Sequence, residues 1–405
     1  MQEQERLSVK IGKFRPSLTL ALKRLSDDRQ AAGLPVHDFG LGEVKTDLNP
    51  HIREAGERAF RYGMTMYSDP AGMPSCRQAV LSWLGLEEHY TIDNVMITAG
   101  AKQSLFNIFM AVCNPGDVVL FDAAPWVSYQ PLAHMSYSTP VMVLPVQGET
   151  NDMKITPDDL KRNLRMRPHV RLFLLNNPVN PTAQLYDREE VWDLLHVCVE
   201  NHVYFVLDRL YWKLVFDGQR FPELPVDDST RPWIIQVDGM SKNFRRAGGL
   251  RIGWSVAPED VTATMASLQS HYTSGPATPT QAAAHAALTH PYDGSLCRDL
   301  QDKRDLFRKE AADIPHIRLF PTPATFYSFW DVRGTFGKST PDGRVINTSD
   351  DLASYLISEA GVVAASGSAF MWDGYMRFCF ATPDETILEG MAGVRKALEA
   401  LEPAA

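Results

Sequence analysis

The stretch DGMSKNFRRAGGLRIGW, residues 238–254, holds one lysine, three arginines and four glycines in seventeen positions. A run of this kind is ordinarily a solvated basic turn. Here it follows the apolar run IIQV (234–237) and leads into RIGWSV (251–256), and both read as short buried strands. Lys242 therefore lies just past a strand's carboxyl end, the edge at which a parallel sheet opens onto its ligand crevice. A lysine in a partly desolvated site has a lowered pKa and can act as an imine-forming nucleophile. Arg251 precedes the second run. Arg245 and Arg246 fit a solvated turn, and service to a cofactor or substrate stays open for them.

Three further stretches end at the same kind of edge. VYFVLD (203–208) closes on Asp208, with Tyr211 three residues on. Such a carboxylate either caps the next turn or pairs with a buried cation. VRLFLLN (170–176) runs into NNPVNPTAQLY, whose Asn-Pro steps hold the chain extended and then turned around Asn177 and Asn180. ITAGAKQSLF sets Gly100 between a strand and a helix start. The N–H groups of Ala101 and Lys102 would be free there for an anion, and Lys102 could add its charge. No P-loop and no G-x-G-x-x-G is present, so nucleoside triphosphate or dinucleotide binding is unsupported. Together, a strand-end Asp, Tyr, Asn, Lys, Arg and a helix N-terminus suit one ligand. It has a carbonyl for the lysine, a phosphate for the arginine and amides, and a basic ring nitrogen for the Asp. Pyridoxal 5′-phosphate (PLP) has these three groups.

The rest of the chain frames these motifs. Its 405 residues carry a net charge of −9, which excludes a global attraction for nucleic acid or an anionic membrane. Five scattered cysteines, none in a C-x-x-C spacing, argue against a disulfide framework or a structural zinc, and no metal site is expected. The first residues lack the apolar core of a signal peptide, and no apolar run approaches membrane-spanning length, so a soluble cytoplasmic protein is expected. VMIT (95–98), VVLF (118–121) and PVMVLP (140–145) read as further strands. DREEVWDLLHVCVENH reads as a helix capped by Asp187 with Glu190 three later. Helices alternating with short β-branched runs predict an α/β domain with a mainly parallel sheet. Beyond about residue 290 the texture is α+β, and residues 334–344 (GTFGKSTPDGR) read as an exposed loop.

With these motifs in this order, the sequence resembles the fold-type I PLP enzymes, and among them the class I/II aminotransferases, from about Asp38 to the C-terminus. SKNF…GLRIG resembles the Schiff-base motif. The resemblance makes Lys242 the lysine that carries PLP, sets Ser241 beside it and gives Arg251 the cofactor phosphate. NPVNPT resembles the family's N-P-x-N-P-T-G, with Asn180 at the cofactor's ring oxygen and within reach of substrate. LDRLY resembles the D-E-x-Y signature, with Asp208 on the pyridine nitrogen and Tyr211 on the ring oxygen. TAGAKQSL resembles the phosphate-binding turn of Gly100, Ala101 and Lys102. APWVSY carries Trp126, implied to stack on the ring. MYSDPAGMPSCRQAV carries Tyr67, implied to reach the phosphate of a partner subunit. GSAFMWDGYMRFCFA carries Arg377, implied to hold the substrate α-carboxylate, with Gly42 of LGLGEV lining that site.

The fold implied is aspartate aminotransferase-like. It has an N-terminal arm and part of a small domain over 1–45, and a large PLP-binding domain over 46–290. That domain's mainly parallel, seven-stranded-type sheet is flanked by helices. A smaller α+β domain covers 291–405. The activity implied is transfer of an amino group between an L-α-amino acid and a 2-oxo acid, in a homodimer with active sites at the subunit interface. The same scaffold also runs eliminations and ring closures, so a PLP lyase or cyclase is the alternative; a cofactor-free binding module fits less well with the intact lysine. The sequence departs from the family at Gly239, where many relatives have a serine, at Arg209 for an acidic residue, at Ala183 for glycine and at Ser366 for proline. Lys242 and Arg251 are nine positions apart, one more than usual.

Overall fold

A computed structural model of the chain describes residues 18–44, 46–146, 153–224 and 226–403. The chain forms two compact units.

The larger unit comprises residues 43–302 and 321–327. Its sheet has seven strands: β1 (Val95–Thr98), β2 (Val118–Phe121), β3 (Thr139–Met142), β4 (Val170–Asn176), β5 (Tyr204–Asp208), β6 (Ile234–Gly239) and β7 (Gly253–Val256). Their spatial order is β1-β7-β6-β5-β4-β2-β3. Strands β3, β2, β4, β5 and β6 pair in parallel, and β7 is antiparallel to both its neighbours. Strands β1, β6 and β7 are buried along their whole length, as their continuous apolar runs require when helices cover both faces. The mainly parallel, seven-stranded sheet agrees with the sequence reading. The strand expected over 140–145 instead covers Thr139–Met142, and β6 runs on to Gly239.

Helix Arg188–Glu200 begins as expected. Asp187 accepts the N–H of Glu190 at 2.9 Å, and Glu190 accepts that of Asp187 at 2.7 Å. Several helices were not anticipated; Pro50–Arg61 and Pro74–Leu84 are two of them. Each starts with proline in its first turn and lacks a side-chain cap, so its start reads as a turn.

The described residues of the smaller unit are 18–42, 303–320 and 328–403. Its main sheet has the order Ala365–Ser366, Tyr375–Cys379, Tyr327–Asp331, Arg318–Leu319. Helices Leu18–Ala31, Ser349–Ala360 and Asp384–Glu399 complete the unit, and His37–Asp38 pairs in parallel with Val362–Val363. Residues 334–344 are not wholly a loop. Lys338–Ser339 pairs antiparallel with Val345–Ile346 and with Glu402–Pro403, and the exposed residues of the stretch are Gly334, Gly337 and the tip, 341–344. Two-residue strands have too short a period to be read from sequence. Among the described residues no helix is long and apolar enough to cross a membrane.

Candidate active site

The register of the large sheet brings the motif residues together. Asn176 lies opposite Asp208, so β4 and β5 end level. Because β7 runs backwards, its first residue, Gly253, lies opposite Gly239 at the end of β6 and Thr98 at the end of β1. Arg251, two residues earlier, therefore arrives at the edge where Gly100 and Lys242 begin their turns. The approach is close. A Cβ on Gly253 would lie 2.2 Å from the Ala101 nitrogen, and one on Gly239 would lie 3.0 Å from the Gly253 Cα. The departure from serine at 239 thus has a steric cause.

Asp208 is buried. Its carboxylate accepts the Tyr129 hydroxyl at 2.8 Å and the Leu210 N–H at 3.2 Å. Burial pushes its carboxyl up to about 6, against the pull of those two donors. Asn180 is anchored by its N–H to the Asn176 side chain at 2.6 Å, and its Nδ2 donates to the Tyr211 hydroxyl at 3.2 Å. The Tyr211 oxygen also lies 3.2 Å from that of Tyr327. Both Asn-Pro bonds of this segment, before Pro178 and Pro181, are cis. Ala183 has a φ of +61°, the left-handed region that favours glycine.

Lys242 is half-buried in the helical turn Met240–Asn243, directly after Ser241, with its Nζ 5.7 Å from the Phe326 ring centroid. Arg251 donates to the carbonyls of Gly248 at 2.9 Å and Ala99 at 3.3 Å. Gly100, at φ +86°, starts helix Ala101–Val112, whose first N–H groups have no intrahelical acceptor. The Lys102 ammonium lies 4.9 Å from the Trp126 ring centroid. Desolvation and then the Arg251 guanidinium lower its affinity for a proton. Two mutually repelling cations beside open helix-end amides form a donor set that fits a phosphate. The buried carboxylate of Asp208 fits a basic ring nitrogen.

Gly100 is indispensable to this cradle. A Cβ there would lie 2.5 Å from Arg251 Nη2. Gly100→Ala is expected to displace the guanidinium and weaken PLP binding by roughly tenfold or more. A spectral titration measures this, and an unchanged Kd would remove Arg251 from the phosphate.

The two flanking arginines have partners of their own. Arg245 pairs with Asp299 and donates to Ser295 at 3.1 Å. Arg246 is exposed, 3.6 Å from Asp47. Tyr67 is 93 % exposed and does not join these residues. In the smaller unit, Arg377 is buried, donates to the Gly40 carbonyl at 2.8 Å and lies 5.1 Å from the Phe370 ring centroid. Gly42 is two residues from that acceptor.

Sequence reasoning missed three residues here. Tyr129, three after Trp126, orients Asp208 and meets Trp126 edge to face at 5.5 Å. Asp122 is buried after β2 and accepts the Asn176 N–H at 3.2 Å, while its Oδ1 has no hydrogen-bond partner among the described residues. Burial, and then the nearby Asp208, hold its carboxyl well above the usual range. Asp238 lies one residue before the end of β6. Tyr129 and Asp238 stand inside the quoted stretches APWVSY and DGMSKNF, yet they, like Asp122, read in sequence as a core ring or a strand cap.

A wound α/β unit whose strand ends gather a lysine, a buried aspartate and an anion cradle is the plan of fold-type I PLP enzymes. The family model for aminotransferase class I and II matches residues 35–394, and the chain belongs to this family of PLP-dependent transferases. It is 31% identical over 397 residues to a probable aspartate/prephenate aminotransferase of Rickettsia felis, covering 96% of each chain. It is 31% identical to the aspartate aminotransferase of Rhizobium meliloti, over 91% of this chain and 90% of the relative. The crystal structure of an aspartate aminotransferase from Rhizobium meliloti matches with a TM-score of 0.91 at 29% identity, covering 98% and 99% of the two chains. That of the Thermus thermophilus aspartate aminotransferase with maleate matches at 0.87 and 26%, covering 97% and 99%. The chain is thus an aminotransferase in fold and family, and nothing among these relatives favours the lyase alternative.

Proposed function

We propose that this chain moves the amino group of an L-α-amino acid to a 2-oxo acid, with PLP held by the larger unit. The observation that carries the reading is Asp208, a buried carboxylate fixed by Tyr129 at the level of Asn176, on the edge where Lys242 and Arg251 converge. The relatives' names make aspartate the first amino donor to try and prephenate a candidate acceptor.

Each residue then has a task. Lys242 would hold the cofactor covalently through its amine. Arg251, Lys102, Ser241 and the N–H groups after Gly100 would hold its phosphate. Trp126 would cover the ring, and Asn180 and Tyr211 would donate to its ring oxygen. PLP, when bound, supplies an electron sink for charge left on the substrate α-carbon. Asp208 would keep a proton on the ring nitrogen, because a cation there offsets the burial of its carboxylate. The Lys242 amine, free once substrate is engaged, would take the α-proton and return it. Arg377, with the backbone near Gly42, would hold the substrate carboxylate. Tyr67 would serve a partner subunit. The exposed Phe60, Tyr62, Met66 and Tyr67 support a homodimer that covers them. A cytoplasmic location accords with this role.

PLP should give a near-visible absorbance band that borohydride removes, leaving the label on Lys242. A chain that takes up no PLP would contradict the reading. Arg377→Ala should raise KM for the amino acid by roughly 100-fold through loss of a charge-assisted pair; steady-state kinetics with an unchanged KM would exclude that role.

A further inference from the structure

Asp238 is the penultimate residue of β6, four residues before Lys242. It is completely buried, and donors reach its carboxylate from two directions. Oδ1 accepts the Gly239 N–H at 2.6 Å and the Asn243 Nδ2 at 2.9 Å. Oδ2 accepts the Trp212 indole N–H at 2.8 Å. The first two donors bracket the turn that presents Lys242. The third belongs to the segment leaving β5, just beyond Asp208 and Tyr211. Asn243 adds a second tie to that segment, its Oδ1 accepting the Lys213 N–H at 3.4 Å. On the other side Gly239 is packed against Gly253, so the turn cannot settle inward.

We infer that Asp238 is a positioning residue for Lys242: its ionised carboxylate clamps the Met240–Asn243 turn to the Trp212 segment and so sets where the lysine amine is presented. This rests on Lys242 being the amine that carries PLP. All three donors need an acceptor, and the carboxylate supplies one to each. Protonation would put a hydrogen on one of those oxygens and weaken the clamp.

The charges around Asp238 make that protonation relevant near neutrality. Burial lifts its carboxyl to about 7, Arg209 and the N–H donors oppose the rise, and Asp208 adds to it. Arg209 is itself buried, 4.3 Å from the Trp212 ring centroid, and donates to Gln236 at 2.7 Å. Lys213 lies over the same ring at 3.7 Å; burial and Arg209 push its ammonium down to about 8, while Asp238 pulls it up. The facing strand β7, Gly253–Val256, brings no titratable group. The carboxylate fraction rises as pH climbs through about 7, so the clamp tightens with rising pH.

Two substitutions test the link from opposite ends. Asp238→Asn keeps an acceptor for Gly239 and Asn243 but sets an amide N–H₂ against the Trp212 N–H. Trp212→Phe removes the indole donor and keeps a ring against Lys213. The full chain, stripped of cofactor, is mixed with PLP from about pH 6 to about pH 8.5, and the rate of borohydride-trapped label at Lys242 is measured. The wild type should show a steeper acid limb than deprotonation of one lysine gives. Each variant should label about tenfold more slowly at pH 8 and lose the extra steepness. The double variant should be no slower than either single one, because both break one contact. Wild-type rates and pH profile in the variants, or losses that multiply in the double variant, would overturn the inference, even with lowered melting temperatures. No label on Lys242 in the wild type would fail the proposed function instead.

Discussion

Lys242→Ala should slow transamination by on the order of 10⁴-fold, the upper range for loss of a positioned acid–base group. It should also abolish borohydride-trapped label while leaving PLP bound through Arg251, Lys102 and Asp208. The fold should survive. Lys242 is half-buried, with its Nζ 5.7 Å from the Phe326 ring centroid, so truncation opens no core cavity. A small amine added to the solution should restore part of the rate, because what is missing is a base at the α-carbon. Single-turnover kinetics with a melting curve check this. A variant with a near-normal rate would assign the proton transfer to another residue.

Asp208→Asn should lower kcat/KM by on the order of 10³-fold, the scale for removing one oriented electrostatic partner. An amide can hold the same contacts, since the Tyr129 hydroxyl can accept as well as donate. It cannot keep a proton on a ring nitrogen by charge. The cofactor-free protein should respond in the opposite sense. Burial raises the Asp208 carboxyl from its ordinary 3.8 to about 6. Between those values the folded chain binds the proton more tightly than the unfolded one, so stability from this group falls as pH rises and levels off above about 6. Removing the ionisable group should remove that fall. The variant should then be more stable than the wild type at pH 7 by up to about 3 kcal/mol. Denaturant midpoints at pH 5 and pH 7 measure this, and a destabilised, still active variant would contradict both halves.

The large sheet was legible because most of its strands are built on short, buried apolar runs. VMIT, VVLF and VRLFLLN can be little else when helices flank them on both faces. The motif residues were legible for the same reason, since each closes or follows such a run. What stayed hidden depends on pairing at long range. Lys338–Ser339 is a strand because Val345–Ile346 and Glu402–Pro403 lie beside it, not because of its own residues. Tyr129 and Trp212 look like core aromatics until their polar atoms are seen on Asp208 and Asp238. Arg245 and Arg246 could not be told apart in sequence; the structure distinguishes them by distant partners, Ser295 and Asp299 for Arg245 and Asp47 for Arg246.

The central claim is that the larger unit carries out transamination at Lys242, and a half-reaction tests it most directly. PLP-loaded protein is mixed with one equivalent of L-aspartate and no acceptor. Transamination at Lys242 should give one equivalent of 2-oxo acid, no free ammonia, and an amino group kept on the bound cofactor until a second 2-oxo acid removes it. Release of ammonia, or turnover that needs no acceptor, would contradict it.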